Sequence, residues 1–232
     1  MKTIGLIGGV SWESSAEYYR LINEMTKERL GGLYSSECVM ASLNFAPVAE
    51  AIKTGDNETY RKHVLHTAER LKGTGADFIL ICSNTTHAFA KDVETLTGIP
   101  VLHIADAVGK AIKEKGLKTV GLLGTKKLME ADYVRGRLEK NWNLTVLIPE
   151  KNDRETVDRV IFDELCQGKV IDASRTSYLE IMDRLAASGA EAIILGCTEI
   201  PMLVRQEHTP LIVFDSLELH ARAAVDLALD EG

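Results

Sequence analysis

Residues 75–81 read Gly-Ala-Asp-Phe-Ile-Leu-Ile, and residues 189–195 repeat this pattern as Gly-Ala-Glu-Ala-Ile-Ile-Leu. Each copy places glycine, alanine and an acidic residue before a continuous apolar run, which is typical of a strand buried on both faces of a parallel sheet. Residues 3–8 and residues 119–124 form a second matching pair at nearly the same separation. Two nearly constant separations over half of the chain predict a duplicated α/β unit rather than a chance likeness between apolar strands.

The rest of the chain alternates short apolar runs with longer amphipathic stretches, which predicts parallel strands covered by helices on both faces. A third, shorter echo joins Pro100-Val101-Leu102 to Pro210-Leu211-Ile212. From these repeats we expect two α/β domains, each a mostly parallel sheet flanked by helices. Residues 1–114 with 211–232 are expected to form the first domain, and residues 115–210 the second.

The composition excludes several classes of protein. The 232 residues carry a net charge of −7, with 45% apolar and 26% charged residues, which is an ordinary globular composition rather than a disordered one. The mild acidity and the lack of a basic cluster argue against a nucleic-acid partner. No apolar stretch is long enough to span a membrane, and the first residues do not resemble a signal peptide.

The four cysteines and six histidines predict neither a disulfide scaffold nor a metal site. No two cysteines have the spacing of a zinc motif, so we expect free thiols in a reducing, cytoplasmic location. His63 and His66 have helical spacing, but no third ligand follows them, and a solvated helix face is the better interpretation. Cys82 directly precedes Ser83. Because side chains alternate along a strand, we expect the Cys82 side chain to face the core.

The repeat also aligns two polar tripeptides. At an unchanged separation, Ser83-Asn84-Thr85 lies opposite Cys197-Thr198-Glu199, and each follows the carboxyl end of a predicted parallel strand. Ligands of open α/β sheets bind at that edge, where backbone N–H groups at helix starts favour anionic groups. Both tripeptides are therefore candidate binding or catalytic segments.

Cys197 is the candidate catalytic thiol, although a free cysteine is most often a small buried hydrophobe. A helix N-terminus lowers the pKa of a thiol, so we expect Cys197 to serve as a base toward a carbon-bound proton. Ser83 is a far weaker base, and helix capping is its alternative role. Glu199 is expected to orient the thiol, to bind a substrate ammonium group, or to complement a helix N-terminus.

Four further residues are candidate substrate contacts. Val10 and Ser11 follow the Gly8-Gly9 turn, which lacks a dinucleotide-binding spacing, and plain turn geometry is their alternative interpretation. Lys169 is a lone cation that either reaches a substrate carboxylate or is solvated. Thr125 follows the second-half strand that matches the first strand of the chain. His87, one turn after Ser83, either tunes the site or only packs.

Three motifs together resemble those of the aspartate/glutamate racemases, in the cofactor-independent Asp/Glu/hydantoin racemase superfamily. The motifs are Gly8-Gly9-Val10-Ser11-Trp12-Glu13-Ser14, Cys82-Ser83-Asn84-Thr85 and Gly196-Cys197-Thr198-Glu199. The resemblance implies two pseudo-symmetric domains with the active site in the cleft between them, no pyridoxal phosphate, no other cofactor, no metal and a homodimer. It implies racemisation of an amino acid by two thiols on opposite faces of the α-carbon. Cys197 matches the second thiol, whereas Ser83 replaces the first, as in some broad-specificity members.

Three alternatives remain open at this stage. A single-thiol decarboxylase of the same superfamily would need Cys197 alone to protonate an enolate. A two-lobed binding protein would need neither residue for chemistry. Ser83 itself is either the natural residue or an introduced replacement of cysteine, which the kinetics of Ser83→Cys would distinguish.

Overall fold

The computed structural model describes residues 1–230 as two four-stranded parallel sheets with helices around them. The strands of the first sheet are β1 (Ile4–Gly8), β2 (Cys38–Ser42), β3 (Phe78–Ile81) and β4 (Val101–Leu102). The strands of the second sheet are β5 (Thr119–Leu123), β6 (Thr145–Leu147), β7 (Ala192–Leu195) and β8 (Ile212–Asp215). This architecture confirms the fold class predicted from the alternating apolar and amphipathic runs.

The helices follow the strands in nearly regular alternation. They are α1 (Trp12–Leu30), α2 (Phe45–Thr54), α3 (Asn57–Glu69), α4 (Ala90–Thr97), α5 (Ile104–Glu114), α6 (Lys126–Glu130), α7 (Asp132–Trp142), α8 (Lys151–Asp163), α9 (Asp172–Ala187), α10 (Ile200–Leu203) and α11 (Ser216–Leu229). No helix within residues 1–230 has both the length and the apolar character needed to cross a membrane.

The two sheets have the same strand order, which confirms the predicted duplication. The orders are β2-β1-β3-β4 and β6-β5-β7-β8. In the first sheet Ile4 pairs with Phe78, and in the second Val120 pairs with Ala192. These pairs are the ones that the two sequence separations equate, so the repeat read from the sequence is also a repeat in register.

The acidic residue that precedes each repeated strand has a structural role. The Asp77 carboxylate accepts a hydrogen bond of 2.6 Å from the Thr3 backbone N–H. The Glu191 carboxylate accepts two, of 2.8 and 2.7 Å, from the N–H groups of Lys118 and Thr119. Each carboxylate therefore satisfies backbone donors at the start of the neighbouring strand, and this explains why the acidic position recurs. These bonds lower the pKa of Glu191.

The third sequence echo is shifted by two residues in the structure. Val101 pairs with Ile79, and the matching residue Ile193 pairs with Val213. Val101 therefore corresponds to Val213, whereas the proline-based alignment had matched it to Leu211. β4 is an edge strand of only two residues, so it carries too little apolar pattern to fix its register from sequence alone.

The chain divides into two compact units, residues 1–103 with 220–232 and residues 104–219. The predicted boundaries, at residues 114/115 and 210/211, differ from this division. α5 packs on α7 of the second unit, in a buried cluster with Val108, Ile112 and Leu138. β8 pairs with β7, so it also belongs to the second unit. The chain returns to the first unit only within α11.

Each unit has its own apolar core on its sheet. In the first unit, Ile79 and Ile81 pack with Val48 and Val64 from the helices. In the second unit, β5 and β7 contribute to one cluster with α8 and α9 and to another with α5 and α7. These cores hold the strands rigidly, so the residues just after each strand are positioned by the buried sheet.

α2 and α4 are two short helices of the first unit. α2 begins immediately after Asn44. Asn44 caps this helix by accepting a hydrogen bond from the Ala46 N–H at 3.3 Å. Pro47 lies in the first turn, where a missing backbone N–H costs little. α4 is the other helix, and it follows a short 3₁₀ turn, Thr85–Phe89.

Candidate functional site

Cys197 stands two residues beyond the carboxyl end of β7. The intervening Gly196 donates its N–H to the Leu123 carbonyl at 2.7 Å. A Cβ on Gly196 would lie 2.8 Å from that same oxygen, so only glycine fits between the two strands at this point. The close approach carries the chain out of the sheet and leaves Cys197 half-buried against an apolar cluster that includes Tyr178.

Glu199 is the hydrogen-bond partner of this thiol. Its Oε2 accepts one hydrogen bond from Cys197 Sγ at 2.9 Å and another from Thr198 Oγ1 at 2.7 Å. The structure therefore brings together three residues that the sequence singled out. Among the roles left open for Glu199, this geometry corresponds to orienting the thiol.

The pKa of Cys197 is raised well above its ordinary value, first by burial and then by the negative charge and hydrogen bond of Glu199. The sequence had suggested the opposite direction, from a helix N-terminus. That expectation is wrong because α10 has only four residues and begins after Glu199. The field of so short a helix does not outweigh desolvation and a carboxylate in contact with the sulfur.

The other two candidates in the second unit have different surroundings. Thr125 caps α6 by accepting a hydrogen bond from the Leu128 N–H at 3.3 Å, and its hydroxyl keeps a proton to donate. Lys169 is exposed, and its ammonium group donates to Gln167 Oε1 at 2.7 Å. The solvated interpretation of Lys169 is therefore the one that its own surroundings favour.

Ser83 occupies the corresponding position in the first unit, two residues beyond the end of β3. Its N–H donates to the Ile81 carbonyl at 2.8 Å, which turns the chain sharply out of the sheet. The residue is only 8% exposed. Within residues 1–230, neither the Ser83 hydroxyl nor that of Thr85 has a hydrogen-bond partner, so both remain available to a ligand. Asn84 holds the N-cap position of the 3₁₀ turn without a side-chain capping bond.

Val10 and Ser11 lie after the end of β1, which neighbours β3 in the sheet. Gly9 precedes them with φ of 97°, and a Cβ there would lie 2.3 Å from the Leu43 carbonyl oxygen. Ser11 is the N-cap of α1 and accepts a hydrogen bond from the Ser14 N–H at 3.4 Å. Ser11 Oγ also lies 3.5 Å from Ser14 Oγ, so turn and cap geometry explains this segment.

Three histidines that are far apart in the sequence form a cluster, and one of them contacts the backbone of Ser83. His87 Nδ1 is 2.8 Å from the Ser83 carbonyl oxygen. The His87 ring centroid lies 4.6 Å from that of His103 and 5.4 Å from that of His220. All three side chains are buried. They come from three remote segments of one unit, so no spacing in the sequence could have indicated that they meet.

A tyrosine completes this cluster. His220 Nε2 is 2.8 Å from the Leu102 carbonyl oxygen, and Nδ1 is 2.9 Å from the Tyr18 hydroxyl. Because a carbonyl only accepts, His220 Nε2 carries a proton, and in the neutral ring Nδ1 accepts from Tyr18. The Ser83 carbonyl likewise assigns a proton to Nδ1 of His87. His87 and His220 therefore each have one defined tautomer when neutral.

The remaining cysteine prediction is confirmed, and no metal site is found in the described part of the chain. Cys82 is fully buried, and burial raises its pKa. Residues 1–230 contain no group of three or more His, Cys, Asp or Glu side chains arranged to hold a metal ion. Cys38, Cys82, Cys166 and Cys197 are all free thiols.

Comparison with known proteins places the chain in a family. The family model described as Asp/Glu/Hydantoin racemase matches residues 7–224. The chain belongs to the Asp/Glu/hydantoin racemase family. This confirms the resemblance read from the three motifs, and with it the predicted enzyme class, an isomerase of the amino-acid racemase type.

Three relatives illustrate the likeness. A solved Yersinia pestis protein assigned to the Asp/Glu racemases is 43% identical, with a TM-score of 0.93 over 99% of this chain and 100% of that one. An aspartate racemase homologue from Pyrococcus horikoshii is 33% identical, with a TM-score of 0.84 over 98% and 99%. The broad specificity amino-acid racemase RacX of Bacillus subtilis is 20% identical over 97% of this chain and 98% of its own length.

Proposed function

We propose that this chain racemises an amino acid of the aspartate/glutamate class without a cofactor, using Cys197 as the thiolate base and Ser83 in place of the opposite-face thiol. One observation carries the proposal. Ser83 and Cys197 stand at matching positions of two copies of one α/β unit, each two residues beyond a strand end. Ile81 pairs with Ile7 in the first sheet, and Leu195 pairs with Leu123 in the second. The two groups thus have equivalent backbone settings and different chemistry.

The first half-reaction breaks the α-carbon–hydrogen bond of one enantiomer. The Cys197 thiolate takes the proton, and the electron pair left on the α-carbon is delocalised into the substrate carboxylate. Hydrogen bonds to that carboxylate must strengthen as its charge grows. The hydroxyls of Ser11, Thr85 and Thr125 are proposed donors, together with Asn84 and the backbone around Val10.

The second half-reaction forms a new carbon–hydrogen bond on the opposite face. The Ser83 hydroxyl, or a water molecule that it orients, gives its proton to the α-carbon, and the oxygen recovers a proton from solvent. For the other enantiomer the steps reverse, and the Cys197 thiol is the acid. Because a serine hydroxyl is a much weaker base than a thiolate, the half-step at Ser83 should be the slower one, and deuterium exchange at the Cys197 face should be faster than racemisation.

Glu199 fits this scheme as the group that sets the protonation state of Cys197. Its contact with the sulfur and the raised pKa support a protonated thiol in the free enzyme. A substrate ammonium group bound beside the carboxylate would offset its charge and favour the thiolate. The Thr198 hydroxyl donates a hydrogen bond to Glu199. Its oxygen is therefore proposed to accept a hydrogen bond from the same ammonium group.

The assay is a panel of L- and D-amino acids in heavy water, analysed by chiral chromatography and mass spectrometry. We expect aspartate or glutamate to racemise and to gain deuterium at the α-carbon, at different initial rates from the two enantiomers. Cys197→Ala should abolish racemisation and the deuterium uptake that begins at Cys197, while Cys166→Ser, at an exposed cysteine, should not. Equal deuterium uptake from the two enantiomers would contradict the unequal roles of Ser83 and Cys197.

A rival outcome is release of carbon dioxide from a substituted malonate without racemisation of any amino acid, which would indicate the single-thiol decarboxylase. Ser83→Cys should speed the half-step on its own face and bring the rate of racemisation closer to the rate of deuterium exchange at Cys197. A homodimer, expected from the family resemblance, belongs to the same proposal and is tested by light scattering on the purified protein. The free cysteines support the proposed cytoplasmic location.

A further inference from the structure

We propose that His87 is a positioning residue for Ser83, required for proton transfer at Ser83 and dispensable for proton transfer at Cys197. This inference rests on the proposed function and deepens it. The contact that carries it is the 2.8 Å hydrogen bond from His87 Nδ1 to the Ser83 carbonyl oxygen. The bond acts on the backbone of Ser83 and leaves the hydroxyl available for chemistry.

The Ser83 corner needs such support because of how it leaves the sheet. Its N–H turns back to the Ile81 carbonyl, one residue after the Cys82 N–H bonds the Ile7 carbonyl of β1 at 3.0 Å. The hydrogen bond from His87 holds the carbonyl group of the same residue, Ser83. With both backbone groups held, the direction of the Ser83 side chain is set by the fold rather than by the substrate.

The His87 ring is itself fixed by its neighbours. It contacts the rings of His103 and His220, and His220 is held at both nitrogens by Tyr18 and the Leu102 carbonyl. These groups are buried in the first unit. A ring clamped on one side and bonded to Ser83 on the other can fix a backbone carbonyl more rigidly than an exposed side chain would.

The corner of Cys197 in the second unit is held differently. There a carboxylate, Glu199, bonds the side-chain sulfur itself. Removal of the His87 donor should therefore leave Cys197 chemistry intact, because Cys197 and its carboxylate partner belong to the other unit. This difference separates a positioning role from a general loss of structure, which would lower both half-reactions.

The test compares His87→Leu, which removes the donor but keeps an apolar side chain, with His87→Gln, which retains an N–H donor. Initial deuterium uptake in heavy water is measured for each enantiomer. In His87→Leu we expect the Ser83-initiated uptake to fall about ten- to a hundredfold, the scale of a misplaced catalytic group. The Cys197-initiated uptake should stay within about twofold, and His87→Gln should recover part of the loss. His66→Leu, at an exposed histidine, is the matched control.

An equal fall in both uptake rates would overturn the positioning role while leaving racemisation standing. A wild-type enzyme without any uptake would overturn the proposed function as well. A second measurement needs no variant: nitrogen-15 NMR of the histidine rings in the wild-type protein. We expect the proton of neutral His87 on Nδ1 and that of neutral His220 on Nε2. A His87 proton on Nε2 would refute the bond to Ser83.

Discussion

Tyr18→Phe tests the buried network behind Ser83 through its effect on stability. Both Tyr18 and His220 are fully buried, and the hydroxyl lies 2.9 Å from His220 Nδ1. The substitution leaves Nδ1 without a donor, because the Leu102 carbonyl keeps the ring proton on Nε2. The phenyl ring itself retains its edge contact with the imidazole, whose centroid is 5.6 Å away. The substitution therefore removes the hydroxyl and its hydrogen bond to His220 while keeping the ring contact.

An unsatisfied buried acceptor costs about 1–3 kcal/mol, so we expect the free energy of unfolding to fall by that amount. For a protein of this size the melting temperature should drop by about 2–4 °C for each kcal/mol. Equilibrium urea unfolding followed by circular dichroism measures the difference. Tyr19→Phe is the matched control, because Tyr19 is the next residue of α1 and is 53% exposed. A loss below about 0.5 kcal/mol in Tyr18→Phe, or an equal loss in the control, would refute the reasoning.

Three further predictions concern other parts of the chain. Glu199→Gln removes the charge that helps raise the pKa of Cys197, so iodoacetamide should alkylate that thiol faster at pH 7.5; an unchanged rate would contradict the assigned cause. Gly9→Ala should cost about 2–4 kcal/mol in urea unfolding, since it combines a positive φ with a backbone clash, whereas Gly31→Ala, at a positive φ with open space, should cost about 1 kcal/mol. The folded-state pKa of Glu191 is lowered, so its contribution to stability is present above the ordinary carboxyl pKa and is lost as the pH falls through the folded value. The difference in urea midpoint between wild type and Glu191→Gln should therefore be present at pH 7 and shrink toward pH 3.

The sheets were predictable because their information is local and repeated. Residues 78–81 and 192–195 are continuous apolar runs, and each is preceded by an acidic residue that caps the neighbouring strand start. Because both units form the same kind of backbone hydrogen bond, an acidic residue and an apolar run occur twice in the sequence. Short edge strands lack that redundancy, which is why the Pro100 and Pro210 echo gave the wrong register.

The unit boundaries were not predictable for a different reason. α5 has an apolar stripe that suits any sheet, and only its packing on α7 assigns it to the second unit. The same holds for α11, whose residues divide between the units at His220. Amphipathic pattern specifies that a helix packs, whereas the choice of partner depends on contacts far away in sequence.

The strand-end rule located Ser83 and Cys197, because the carboxyl edge of a parallel sheet is fixed once the strands are known. It could not give their electrostatics. The pKa of Cys197 depends on a carboxylate whose side-chain direction is decided within a half-buried turn, and the helix that the sequence suggested there is four residues long. The direction and burial of individual side chains depend on tertiary structure. The sequence therefore placed Cys197 at the strand end but predicted the wrong direction for its pKa shift.

In the proposed mechanism, the same duplicated backbone thus supports two unlike proton-transfer groups by unlike means. At Cys197 a carboxylate bonds the reactive atom, and so controls when the proton is present. At Ser83 an imidazole bonds the backbone carbonyl, and so controls where the hydroxyl points while leaving its proton alone. A thiol titrates near the physiological range and needs its protonation state set, whereas a hydroxyl does not titrate there and needs only its position set. The support that each corner carries therefore matches the chemistry proposed for it.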